Sequence, residues 1–109
     1  MNLLTKEIIT RFEKYPRYSQ EAQEKKRILA KFFGGSACTW IVTEAEREGD
    51  DWLLYGCANL GYGFEWGYFM WSEIRDLRFP PFGLPLERER FESDGKHFID
   101  NKFKITYAS

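Results

Sequence analysis

The chain has 109 residues, of which 43% are hydrophobic and 30% are charged, and its 16 basic and 17 acidic residues leave a formal net charge of −1. This length and composition are typical of one soluble globular domain over residues 1–109, and they argue against a disordered or membrane-spanning class. A nearly neutral chain lacks the strong positive field on which duplex-DNA binders depend. The same balance of charges argues against a uniformly acidic DNA mimic.

The first predicted element is an amphipathic helix over about residues 5–15. Apolar residues such as Ile8 and Phe12 recur at helical spacing, and charged residues fill the opposite face. Thr5 is a favourable N-cap, and Pro16 ends the pattern. The segment lacks the basic and apolar regions of a secretory signal, and no apolar run is long enough to span a bilayer. We therefore expect a cytoplasmic protein that does not insert into a membrane.

Four strands are predicted between about residues 27 and 71. They correspond to the runs RILAKFF, SACTWIVTE, DWLLYGCA and FEWGYFMW, which are separated by turns rich in glycine or acidic residues. Alternation places Cys38, Trp40 and Val42 on one face of the second strand and Ile41 on the other. The connections are too short for crossovers, so the strands should form an antiparallel meander.

A short helix is predicted over about residues 73–78, with Ser72 as its N-cap. The region 80–109 begins as a proline-rich connection, and its last residues alternate in a way that favours a final edge strand. The predicted fold class is α+β. It consists of a four- to five-stranded antiparallel meander sheet with the N-terminal amphipathic helix and the short second helix packed on one face.

Patterns of catalytic or metal-binding residues are weak in this sequence. It has one histidine and two cysteines, and the cysteines lie in apolar runs without metal-ligand spacing. The carboxylate pairs Glu65 with Glu73 and Glu44 with Glu87 would support acid–base chemistry only if the fold brought them together in an apolar cleft. The sequence therefore predicts a non-enzymatic protein with no cofactor and no metal site.

The most acidic segment is the predicted turn over residues 44–51, in which a single arginine opposes five carboxylates. Such a turn is either a solvated hairpin tip that discourages aggregation or a surface that presents carboxylates to an arginine-rich partner groove. The candidate partner-binding residues are Glu44, Glu46, Glu48, Asp50, Asp51 and Trp52.

A second hypothesis uses the aromatic residues of the sheet as a stacking platform for single-stranded nucleic acid. Its basic flank would be Lys25, Lys26, Arg27 and Lys31. The strands that carry the aromatic rings contain almost no basic residues, however. The rings are therefore more consistent with a core or a protein interface, and nucleic acid is unlikely as a direct ligand.

The order of several strings identifies a resemblance over about residues 3–91. The strings LLTKEII, KFFGG, TWIVTE, DWLLYG, EWGYFMWSEI and GLPLERERF resemble a small bacterial domain family of unknown function carried on plasmids, conjugative elements and phages. Trp66 stands where that family usually has leucine, and the tail after Ser93 differs.

That family is similar to one group of anti-CRISPR proteins directed against type II effectors. The resemblance implies an accessory protein of a mobile genetic element in the cytoplasm of a bacterial host. Its partner would be Cas9 or the guide-RNA complex of Cas9, which it would inhibit by protein–protein occlusion. A monomer is the expected oligomeric state, and no catalytic residue is implied.

Overall fold

A computed structural model describes residues 2–107, in which two helices pack on one face of a five-stranded antiparallel sheet. The helices are α1 (Lys6–Lys14) and α2 (Trp71–Arg75). The strands are β1 (Lys25–Arg27), β2 (Ala30–Gly34), β3 (Cys38–Glu48), β4 (Asp51–Leu60), β5 (Phe64–Met70), β6 (Arg78–Phe79), β7 (Leu84–Pro85), β8 (Glu87–Arg88), β9 (His97–Asp100) and β10 (Ile105–Tyr107). The predicted α+β class is confirmed.

The main sheet has the strand order β5-β4-β3-β2-β8. Strands β2 to β5 form the predicted meander, and β8 adds a short fifth strand beside β2. The long hairpin of β3 and β4 pairs from Cys38–Leu60 to Glu48–Asp51, with one irregularity between Val42 and Glu44. This hairpin holds the predicted acidic segment at its far end.

Helix α1 begins where the sequence predicts. The Thr5 hydroxyl accepts a hydrogen bond from the Ile8 backbone N–H at 3.2 Å, and Glu7 lies in the first turn, where the helix dipole favours an acid. Ile8 and Phe12 are buried on the face that meets the sheet. The apolar face of the helix therefore fixes its position against the sheet.

The main core lies between one face of the sheet and the two helices. Its largest members are Ile8, Phe12, Leu29, Phe32, Trp40, Val42, Trp52, Leu54, Trp71 and Ile74. Phe12 meets Trp52 edge to face at 5.3 Å between ring centroids, and Phe32 packs against Trp71 at 5.1 Å. Most of the tryptophan surface of this chain therefore stabilises the core.

A second, unpredicted sheet covers the opposite face. It has the order β1-β9-β10, and it encloses a smaller apolar cluster built on Ile28, Ile41, Cys57 and Ile99. The two-sided alternation predicted for β3 is correct, because Trp40 faces the main core and Ile41 faces this second cluster.

The single strand predicted over residues 27–33 is wrong. The chain divides between Ile28 and Leu29, whose backbone N–H groups donate in two directions. The N–H of Ile28 donates to the His97 carbonyl at 2.9 Å, and that of Leu29 donates to the Val42 carbonyl at 2.8 Å. Two consecutive residues therefore form hydrogen bonds with different sheets, and the apolar run is divided into the separate strands β1 and β2.

The second helix and the tail also differ from prediction. Helix α2 begins at Trp71 and ends at Arg75, so Ser72 lies inside its first turn rather than at the N-cap. The tail does contribute an edge strand, but β10 pairs with β9 in the smaller sheet. Within residues 2–107, no helix is long and apolar enough to cross a membrane.

Candidate functional site

The tip of the β3–β4 hairpin is the most exposed part of the predicted acidic segment. Gly49 takes a positive φ of 60° in the turn, a conformation that favours glycine. Glu48 and Asp50 are exposed on either side of it, and Glu46 is half-exposed. We call Glu46, Glu48 and Asp50 the acidic tip. These carboxylates are accessible to a partner.

Glu44 does not belong to this surface. It is 2% exposed, and its carboxylate accepts the backbone N–H groups of Tyr18 at 2.8 Å and Gln20 at 3.0 Å. The loop after α1 covers this part of β3, which removes Glu44 from the face that Glu46 and Glu48 share. A charge-assisted hydrogen bond to a buried N–H is strong, so the role of this acid is to anchor the loop.

Asp51 is also committed to internal contacts. Its carboxylate accepts the Trp52 N–H at 2.8 Å, the Ser72 N–H at 3.0 Å and the Ser72 hydroxyl. These bonds, the one from the Ser72 hydroxyl above all, lower the pKa of Asp51 below its ordinary value. Asp51 therefore caps the start of α2 from the beginning of β4. The sequence pattern predicts this capping role for Ser72.

The lowered pKa of Asp51 predicts a pH dependence of folding. A carboxyl group whose pKa is lower in the folded state stabilises that state at pH values above its pKa in the unfolded chain. This stabilisation is lost as the pH falls through the pKa in the folded state. We expect the stability difference between wild type and Asp51→Asn to shrink as pH drops below about 3.8. Urea unfolding from pH 7 to 2.5 measures this difference, with Asp50→Asn as the exposed control. A difference that is independent of pH would contradict the capping role.

Trp52 is 5% exposed and is not available as a partner anchor. Its ring packs against Phe12 in the core, and the Arg47 guanidinium lies 4.5 Å from its centroid on the outer side. Trp66 is the one partly exposed tryptophan, and it stacks on Phe103 at 5.5 Å. The predicted aromatic platform is thus largely internal.

An exposed cluster that sequence reasoning missed lies beside the acidic tip. The Arg17 guanidinium is placed 5.0 Å from the ring of Tyr18 and 4.8 Å from that of Tyr68. It donates to the Tyr68 hydroxyl at 3.2 Å and lies 3.7 Å from the Glu46 carboxylate. Tyrosine and arginine are enriched at protein interfaces. No local pattern could reveal this cluster, because Tyr68 lies 51 residues after Arg17 in the chain.

The basic residues of the nucleic-acid hypothesis are mostly engaged inside the protein. They are Lys25, Lys26, Arg27 and Lys31. The ammonium of buried Lys26 donates to a backbone carbonyl of the preceding loop at 2.6 Å. Arg27 donates to the Tyr15 hydroxyl at 2.9 Å, and Lys31 pairs with Glu92 at 2.6 Å. Lys25 remains exposed, so these side chains do not form an open basic surface.

The carboxylate pairs considered from the sequence do not meet in an apolar cleft. Glu65 and Glu73 are both exposed, and in the other pair Glu44 is buried while Glu87 is exposed. Within the described residues, no group of three or more His, Cys, Asp or Glu side chains is arranged to hold a metal ion.

A family model described as a protein of unknown function (DUF2958) matches residues 3–100. The match extends from the segment before α1 to the end of β9, so it includes the acidic tip and both helices. Its description gives no activity, ligand or partner. No curated protein and no solved structure matches the chain.

Proposed function

We propose a non-enzymatic, partner-binding function for this chain, which belongs to the DUF2958 family of proteins of unknown function. In this proposal it is an accessory protein of a mobile genetic element, and it inhibits a type II Cas9 effector by occluding the effector through protein–protein contact. The choice of Cas9 derives from the resemblance to anti-CRISPR proteins. The exposure of the acidic tip is the structural observation that supports the mode of binding.

The acidic tip has the chemistry required to compete for a basic channel. Cas9-type effectors hold the guide–target heteroduplex in a positively charged channel and contact its backbone. Carboxylates at the end of a narrow hairpin can take the place of phosphates there, and complementary charge accelerates the encounter. A local tip can do this although the whole chain carries a net charge of only −1.

The cluster of Arg17, Tyr18 and Tyr68 supplies the apolar part of the proposed surface. Tyr68 is 45% exposed and Tyr18 is 58% exposed, and both adjoin Arg17, which is the neighbour of Glu46. Aromatic rings contribute much of the binding energy at the centre of an interface, whereas charges at the rim contribute mainly to steering. We therefore place the two tyrosines and the acidic tip on one contact surface.

Charge reversal tests this surface. The variant Glu46→Lys, Glu48→Lys, Asp50→Lys should bind Cas9 about 100-fold more weakly, on the order of 1 kcal/mol per reversed charge. Glu44 and Asp51 stay unchanged because both have internal contacts. Binding by surface plasmon resonance and inhibition of Cas9 cleavage of a plasmid measure the loss.

The matched control carries the same change of charge elsewhere. Glu13→Lys, Glu21→Lys, Glu24→Lys reverses three exposed acids outside the acidic tip, and it should retain inhibition. Full inhibition by the tip variant would refute the assignment of the acidic tip. An equal loss in both variants would show that net charge, rather than this surface, controls binding.

A further inference from the structure

Strand β5 is an unprotected edge of the main sheet. Within the described residues, β4 is its one strand neighbour. Its sequence FEWGYFM contains a single charge, Glu65, and no lysine or proline. Its pairing with β4 is continuous from Asn59–Phe64 to Leu53–Met70, without a bulge. Natural edge strands are usually shortened, charged, bulged or covered, because their open backbone groups pair with other strands.

The other edges of the main sheet and of the β1-β9-β10 sheet have such protection. Strand β8 is two residues long, and both Glu87 and Arg88 are charged. Strand β1 consists of three basic residues, and β10 is three residues long. Only β5, with seven residues, is both long and apolar. The edge that needs a partner is therefore β5.

A groove over the face of β3, β4 and β5, next to Gly67, offers space for a side chain of a strand added at the β5 edge. It measures about 380 Å³, and its apolar lining includes Trp40, Leu60 and Phe69. Gly67 leaves it open, since a Cβ built there meets no atom within 4 Å. Strand addition combines backbone hydrogen bonds with pockets for alternate side chains. Both components are present at this edge.

We propose that the occupant is a second copy of this chain, with the two β5 strands paired antiparallel about a two-fold axis at Gly67. Positions at equal distances before and after Gly67 are then opposite each other: Trp66 and Tyr68 are one residue away from it, and Phe64 and Met70 are three residues away. Each Trp66 then faces Tyr68 of the second copy, and each Phe64 faces Met70. Cross-strand aromatic and apolar pairs of this kind stabilise antiparallel sheets.

Charge and symmetry favour a second copy over an unrelated strand. In this register Glu65 faces Phe69 of the second copy, so the two Glu65 carboxylates are not opposed. An isologous dimer makes each contact twice, so in this register the aromatic residues at positions 66 and 68 and the large apolar residues at 64 and 70 all gain an apolar partner. Pairing joins two five-stranded sheets into one of ten strands whose remaining edges are the short, charged β8 strands. The assembly is therefore closed and does not grow into a filament.

The dimer leaves the acidic tip accessible, whereas Tyr68 lies both on the proposed partner surface and in the seam between the two β5 strands. Leu53 pairs with Met70 at the end of β5, so the turn at residues 49–50 lies beyond the seam. The assembly would present two acidic tips. It differs from the monomer expected from the sequence, and it does not depend on the identity of the partner.

Sedimentation velocity of the full chain over a concentration series tests the dimer. We expect a species of twice the 13.0 kDa chain mass that dissociates on dilution. Gly67→Lys should abolish it, because this variant places a charge at the centre of the seam while its Cβ meets nothing within the monomer. Glu87→Lys, on the opposite edge, should leave the dimer intact. A wild type that is monomeric throughout the series would refute the proposal, as would a dimer that survives Gly67→Lys.

Cross-linking provides an independent measurement if Gly67→Lys does not fold. In a Cys38→Ser background, Gly67→Cys places two thiols opposite each other across the axis, within the Cα separation that a disulfide spans. Mild oxidation should convert the protein to a covalent dimer, whereas the exposed Asn101→Cys variant should remain a monomer. Failure of Gly67→Cys to cross-link would overturn the proposed seam.

Discussion

Gly56→Ala is expected to lower the free energy of unfolding by about 3 kcal/mol or more. A Cβ at this position would lie 1.8 Å from the carbonyl oxygen of Ile41 and 3.1 Å from the Cα of Val42. Both are backbone atoms of the neighbouring strand β3, so relief of the clash requires β3 and β4 to separate. The position adjoins the irregularity between Val42 and Glu44, where the two strands approach closely.

Gly67→Ala is the matched control for this prediction. Gly67 pairs directly with Gly56 across β4 and β5, yet a Cβ there meets nothing within 4 Å. We expect its free energy of unfolding to stay within about 0.5 kcal/mol of wild type, or to rise slightly, because alanine restricts the unfolded chain. Urea denaturation of both variants, at a concentration at which the wild type is monomeric, measures the contrast. Equal effects of the two substitutions would contradict the close contact at Gly56.

The local parts of this fold were predictable from sequence. Helix α1 follows from its apolar spacing and the Thr5 cap, and the meander follows from alternating runs joined by short turns. The division of β1 from β2 was not predictable. It depends on a hydrogen bond between Ile28 and His97, which are remote in sequence, and no periodicity within RILAKFF reports such a contact.

The candidate site was predictable only as a charge pattern. The five acids of residues 44–51 look equivalent in the sequence, but their environments differ. Glu44 is covered by a loop and Asp51 is bound to Ser72, so the accessible set is the acidic tip. Trp52 was misplaced for a related reason, because a tryptophan in an alternating strand can face the core or a partner with the same pattern. Tertiary contacts, rather than residue type, separate structural acids from accessible ones.

The accessible and the structural acids of β3 should therefore respond differently to the same substitution. Glu44→Ala is expected to cost about 3 to 5 kcal/mol, because it removes two charge-assisted hydrogen bonds and leaves the N–H groups of Tyr18 and Gln20 without their acceptor. Glu44→Gln should cost less, since one amide oxygen can still accept. Glu48→Ala, four residues along the same strand and exposed, should change the free energy of unfolding by no more than about 0.5 kcal/mol.

Urea denaturation and amide hydrogen exchange distinguish these outcomes. Exchange at Tyr18 and Gln20 should accelerate strongly in Glu44→Ala and remain slow in Glu48→Ala, because only Glu44 closes the loop after α1. If Glu44→Ala were as stable as wild type, its carboxylate would not be the anchor of that loop. Because Glu48→Ala keeps the fold intact, any loss of Cas9 binding in that variant would be attributable to the acidic tip itself, whereas a loss in Glu44→Ala would first reflect unfolding.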